Sequence, residues 1–208
     1  MALCVGQGMP FFLAGGTISH GWALTEHGQI EEGITQIRQG MTAWRATGAE
    51  ASWSHWLALL AEAYKNRGQT EEGLSALTEA LVAAEKNEER YYEAELYRVK
   101  GELMLQSKVL SSKSQIEEAE ACFLKAIEIA RKQQAKSLEL RAVMSLSRLW
   151  QQQGKRREEA RQMLAEVYGW FTEGFDTPDL LEAKALLIEL GDQRPKRRGR
   201  QKALKRKV

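Results

Sequence analysis

Ala119-Glu-Ala-Cys-Phe-Leu-Lys-Ala126 sets a small residue, an aromatic four positions on, and a second small residue three further: Ala119, Phe123, Ala126. On a helix these three share one face. The small residues let a second helix approach closely, and the large one fills the gap between the two. Weaker copies recur along the chain. Gly33, Ile37 and Gly40 follow Gly28; Gly73, Leu77 and Ala80 follow Gly68; Ala160, Leu164 and Val167 follow Gly154. The turn glycines at 28, 68 and 154 stand 40 and then 86 positions apart, the second gap being about two units of 43. Self-similarity at such a period marks helical hairpins stacked side by side.

Composition agrees with an all-α chain. Of 208 residues only three are proline, at 10, 178 and 195, so none interrupts residues 11–177. Glu outnumbers Asp heavily, the aspartates being Asp176, Asp179 and Asp192; Glu is the better helix former. The net charge of +2 is uneven. Residues 194–208 hold nine Lys/Arg and no acid, which leaves 21 basic against 28 acidic residues, about −7, for residues 1–193. Cys4 and Cys122 lie too far apart in sequence for a metal motif or a disulfide framework, and suit a reducing cytoplasm. Residues 1–25 lack Asp, Glu, Lys and Arg. They also lack the positive n-region of a signal peptide, and their glycines, Gln7 and His20 make them too polar for a span.

Helical periodicity predicts four hairpins, at about 11–46, 52–86, 88–133 and 137–173. A capping helix follows at 178–190, with Pro178 at its first position and a stripe of Leu180, Ala183, Leu186, Leu187 and Leu190. Residues 1–9 read as a frayed leader. Residues 192–208 read as a disordered basic tail, too charged to bury apolar surface. The hairpin unit resembles the tetratricopeptide repeat, whose minimal length is about 34 residues. That resemblance implies a superhelical solenoid with a groove and no catalysis of its own.

Longer strings carry a more specific likeness. They are Tyr97-Arg-Val-Lys-Gly-Glu-Leu103, Ala119–Arg131, Ala135-Lys-Ser-Leu-Glu-Leu-Arg141, Ser145-Leu-Ser-Arg-Leu-Trp150 and Tyr168-Gly-Trp-Phe-Thr-Glu-Gly-Phe-Asp-Thr177. Over about residues 10–191 the chain resembles the C-terminal repeat region of large bacterial signalling proteins. In those proteins a cyclase-like or DNA-binding domain is followed by an AAA-type predicted ATPase. The resemblance implies a regulatory, partner-binding module involved in signal transduction, a detached or truncated piece of such a protein. It carries over no catalytic residue.

The residues themselves offer no chemistry. There is no Gly-x-x-x-x-Gly-Lys-Ser/Thr loop for a nucleotide and no His-Glu-x-x-His pair for zinc. The expectation is therefore a protein that is not an enzyme, with no cofactor and no metal. Cys122, beside Phe123, reads as a packing residue. Most of the six tryptophans read as gap fillers.

The register points instead to a groove. Gly21, Ala61, Gly101 and Ser147 take the small position on the first helix of each hairpin. Residues beside them, and just before the next turn, should line the inner face. They are Trp22, His55, Glu62, Lys65, Asn66, Glu95, Arg98, Glu102, Arg141, Arg148, Gln151 and Gln152. Such a mixed-charge groove, acidic in the middle and basic near the fourth hairpin, suits an extended peptide or another protein, including ATPase or cyclase domains in trans. The apolar N-terminal end suits self-association. An alternative reading is sequence-independent binding of nucleic acid or an anionic surface through Lys196, Arg197, Arg198, Arg200, Lys202, Lys205, Arg206 and Lys207.

Overall fold

A computed structural model describes residues 9–106 and 113–191; the leader before Met9 and the basic tail lie outside them. Within those residues every regular element is a helix. In chain order they are α1 Pro10–Glu26, α2 Ile30–Ala46, α3 Trp53–Arg67, α4 Thr70–Lys86, a 3-10 turn Arg90–Tyr92, α5 Glu93–Gln106, α6 Lys113–Lys132, α7 Lys136–Gln153, α8 Arg157–Tyr168 and α9 Pro178–Gly191. Consecutive helices pair as α1/α2, α3/α4, α5/α6 and α7/α8, and α9 closes the row against α7 and α8. The first helices of the hairpins also touch their counterparts directly, α1 to α3 to α5 to α7 to α9. That row forms one layer and the second helices the other. The architecture is an all-α, tetratricopeptide-like solenoid of four hairpins and a closing helix.

The turns follow from the glycines. Gly68 sits at φ +78°, the left-handed region open to glycine, and the N–H of Gln69 reaches back to the Tyr64 carbonyl at 2.9 Å. This is a Schellman ending, which satisfies the last carbonyls of α3. The turns at Gly28 and Gly154 repeat it, through Gln29 to Leu24 and Lys155 to Trp150. Between hairpins the same ending is made without glycine. Glu88 and Gln134 both take φ +56°, and the N–H groups of Glu89 and Ala135 bond to Ala84 and Ala130. The left-handed Glu88 is why the helix expected from 88 starts as α5 only at Glu93, after the 3-10 turn. Likewise α8 stops at Tyr168 rather than at 173, because Gly169 and Gly174 interrupt the segment that follows.

The small-large-small stripes make the core. Ala119, Phe123 and Ala126 are fully buried, as are Ile37, Leu77, Ala80, Ala160 and Leu164. The first hairpin is the closest: a Cβ built on Gly33 would lie 2.5 Å from the Gly21 carbonyl oxygen. Trp44, Trp56 and Trp150 are buried, but Trp170 is 60 % exposed on the α8–α9 connection and fills no gap. At the far end of the row Phe12 of α1 is 63 % exposed.

Candidate functional site: a charged trough across the first helices

Each first helix presents a polar edge to the next, and these edges join. Trp22 of α1 donates its indole N–H to Glu62 of α3 at 3.3 Å, and Asn66 of α3 donates to Glu26 of α1 at 3.1 Å. Lys65 of α3 pairs with Glu102 of α5 at 2.6 Å. Arg141 of α7 pairs with Glu95 of α5 at 3.0 Å and with Asp179 of α9 at 2.8 Å. Arg148 of α7 pairs with Glu182 of α9 at 2.5 Å.

Arg98 is the hub. Its guanidinium grips Glu95 in a two-bond fork, at 2.9 and 2.6 Å, and reaches Glu102 at 2.5 Å and Glu62 at 3.0 Å. Planar, forked donors of this kind match carboxylates. Arg98 and Glu95 are both buried, Glu95 to 1 % exposure. Charges taken from water need this many partners, since desolvation costs several kcal/mol per ion.

The titration behaviour follows from the packing. Burial pushes the Glu95 carboxyl up, but the charge and hydrogen bonds of Arg98, helped by Arg141, outweigh it and hold the group below its ordinary range. Burial works against Glu102 too, yet Arg98 and Lys65, with the Lys65 and Ser145 hydrogen bonds, bring it down to about 2. Glu62 goes the other way. Burial and the nearby Glu95 charge raise it more than Arg98, Lys65 and Arg141 lower it. Burial also disfavours the charged form of Arg98, but Glu95, Glu102 and Glu62 hold it well above the ordinary arginine value.

Between these edges lies a depression of about 190 Å³, lined by Trp22, Glu26, Glu62, Lys65, Asn66, Arg98, Arg141, Met144, Ser145, Arg148, Asp179 and Glu182. A second, of about 270 Å³, adjoins it at Lys65, Glu102, Gln106, Phe123, Ser145, Arg148 and Gln152. Most residues that the register assigns to the inner face therefore meet in one place. Glu95 belongs to the floor rather than the wall. Gln151 turns to Glu189 of α9 at 3.4 Å. His55 stands apart, packed against Trp56 and Tyr92 with its Nδ1 buried and unpaired, and burial lowers its pKa.

The register left out Glu26, Gln106, Asp179, Glu182 and Ser145. Glu26 and Gln106 stand five positions after Gly21 and Gly101, as Asn66 and Gln152 do after Ala61 and Ser147, so that signal was present. Asp179 and Glu182 belong to α9, which the sequence shows only as a cap.

Arg98 engages the buried Glu95 and the half-buried Glu62 and Glu102, and Arg131 and Lys136 engage the buried Glu139. Among the described residues no three His, Cys, Asp or Glu side chains gather as a metal site. Burial raises the Cys122 thiol above its ordinary value, which disfavours a thiolate. No helix among the described residues is long and apolar enough to cross a membrane.

Comparison with known proteins agrees with the geometry. Residues 103–133, the end of α5 through α6, match the tetratricopeptide repeat family. The architecture is similar to the nearly identical tetratricopeptide-like repeats of a chain assigned as a kinesin light chain in Podosopora anserina. The TM-score is 0.61 at 20 % identity, over 87 % of this chain and 86 % of that one. A form of the same repeats with one glutamine replaced by methionine gives 0.61 at 19 % identity, over 87 % and 85 %. At that identity the likeness speaks for the fold. No curated protein matches the chain. The tetratricopeptide repeat is in general a protein-interaction scaffold, and neither match indicates a catalytic family.

Proposed function

We propose that the chain is a non-catalytic protein-interaction module whose trough holds an extended segment of a partner protein. The observation that carries this is the joining of polar edges from five helices, α1, α3, α5, α7 and α9, into one charged depression. The depression is mostly polar, whereas small-molecule sites are mostly apolar, so metabolite sensing is the weaker reading. An extended segment can instead lie across the row and lower charged side chains into it, exchanging hydrogen bonds with Asn66, Arg148, Asp179 and Glu182.

The sequence strings between Tyr97 and Thr177 suggest the setting. They fit a regulatory region serving ATPase or cyclase domains, in the cytoplasm of a bacterium, by contact and not by turnover. The exposed Phe11 and Phe12 fit self-association through that end.

The test is a peptide-display selection against the full chain, repeated with Asn66→Ala plus Arg148→Ala, which leaves the Arg98 hub intact. Selected peptides should lose at least tenfold in affinity for that variant and none for Leu124→Ala on α6. Peptides indifferent to Asn66 and Arg148 would refute the trough as the binding site.

A further inference from the structure

Besides its ion pairs, the trough carries a row of neutral amides. Asn66 of α3, Gln106 of α5 and Gln152 of α7 each stand five positions after the small residue of their helix, so they recur at one place from hairpin to hairpin. The three helices are neighbours in one layer. All three amides are exposed and line the two adjoining depressions. Glu26 of α1 fills the fourth place and accepts from the Asn66 amide at 3.1 Å, which leaves the Asn66 oxygen as an acceptor. The Gln106 and Gln152 side chains have no hydrogen-bond partner among the described residues. Each therefore offers an acceptor oxygen and an NH2 donor to a ligand.

Such groups match an unpaired peptide backbone, with its one N–H and one C=O per residue. A helical ligand has those groups bonded internally and gives the amides nothing to hold. Spacing decides between the extended forms. Packed helices stand about 8–10 Å apart. A polyproline II chain completes a turn of three residues in about 9.3 Å, so every third residue turns the same side to the row. A β-strand repeats its facing side every two residues, in about 6.6 Å, and is out of step by the next helix. The row also has an apolar companion. Gln106 and Gln152 share their depression with Leu105, Phe123 and Leu149, and Leu105 is 37 % exposed. A ligand's apolar side chain covers that surface while the amides hold its backbone.

We propose that the trough takes a polyproline II segment of a partner protein. Asn66, Gln106 and Gln152 hydrogen-bond the backbone of every third residue, and Leu105, Phe123 and Leu149 receive an apolar side chain from one of those positions. Proline suits the two positions between, because its fixed φ holds the conformation and no N–H is needed there. This rests on the trough being the binding site and adds what kind of segment enters it.

The probe is a fluorescein-labelled peptide of five Leu-Pro-Pro repeats, titrated by anisotropy against the full-length protein. It should bind wild type and lose at least tenfold in affinity for Gln106→Met plus Gln152→Met, which keeps the side-chain length and removes the amides at exposed positions. Leu124→Ala on α6 should bind it as wild type does. A second peptide with N-methylleucine for leucine keeps the side chain and loses the N–H, and should bind wild type at least tenfold more weakly. Between about 0.05 and 0.5 M salt the affinity should change less than twofold, because the contacts are uncharged. No binding to wild type, binding indifferent to the two glutamines, equal binding of the N-methylated peptide, or affinity lost with salt each overturn the proposal. The display selection keeps the two ideas apart. If selected peptides depend on Asn66 and Arg148 while the Leu-Pro-Pro probe fails, the trough stands and the polyproline form is wrong; if no selected peptide depends on them, the trough itself fails.

Discussion

Nη1 of Arg141 lies 3.0 Å from Oε1 of Glu95, a contact that ties α7 to α5 across 46 positions of sequence and ends on a carboxylate 1 % exposed. Arg98 holds the same carboxylate from its own helix. The floor of the trough is thus a buried ion cluster, and the helices that line the trough are registered by it. Such clusters contribute little net stability when intact, but they penalise the loss of one member heavily.

Arg98→Met should therefore destabilise the fold by about 3–5 kcal/mol, because it strands Glu95, Glu62 and Glu102 without their shared partner. Urea unfolding followed by circular dichroism measures this. A cost below about 1 kcal/mol would mean the cluster is open to water.

Acid should dissolve the cluster in a defined window. The pKa of Glu102 is held at about 2 in the fold against an ordinary 4.5. Its stabilisation is complete above pH 4.5 and is lost as the pH falls towards 2, amounting to about 3 kcal/mol. Glu62, raised in the fold, has the opposite sign: the folded chain takes up its proton first, so stability attributable to Glu62 grows as the pH drops towards 4.5. Unfolding free energies of wild type and Glu102→Gln should converge between pH 4.5 and 2. Parallel curves would show that Glu102 is not held by Arg98 and Lys65.

The fold was legible where helical spacing and glycine carried it. Phe123 between Ala119 and Ala126, and the turns at Gly28, Gly68 and Gly154, place the hairpins within a few residues. The turns at Glu88 and Gln134 were not legible, since a left-handed Glu or Gln leaves no mark in composition. The trough was legible as a register from Gly21, Ala61, Gly101 and Ser147. What the register cannot convey is depth. Glu95 and Glu62 each lie near a small position, yet one is sealed in the floor and the other lines the wall, because Arg98 and Arg141 close over Glu95 from two helices. His55 was misassigned for a related reason: it sits early on α3, where Tyr92 of the next hairpin's 3-10 turn packs over it.

Close approach in the first hairpin can be separated from turn strain. A Cβ on Gly33 meets the Gly21 carbonyl oxygen at 2.5 Å and also runs into the Thr25 methyl. Backbone atoms cannot step aside, so Gly33→Ala should cost at least about 1–3 kcal/mol. Gly68→Ala has open space around it but φ +78°, and should cost about 1–2 kcal/mol from conformation alone. Gly191→Ala meets nothing within 4 Å and serves as the neutral control. Thermal unfolding of the three variants should rank them in that order; a neutral Gly33→Ala would mean that α1 and α2 do not pack this closely.

The pairing of Gly101 with Phe123 is testable by a double-mutant cycle. Phe123 is fully buried, and a Cβ on Gly101 would meet its ring at 2.6 Å. Removing the ring alone, Phe123→Ala, should cost about 3–5 kcal/mol by leaving a cavity. Gly101→Ala alone should cost about 1–3 kcal/mol by overfilling the same space. Because one change empties the volume that the other fills, the double variant should be more stable than the two costs predict together, by at least about 0.5 kcal/mol. Strict additivity in urea unfolding would mean that α5 and α6 do not meet through this glycine and this ring.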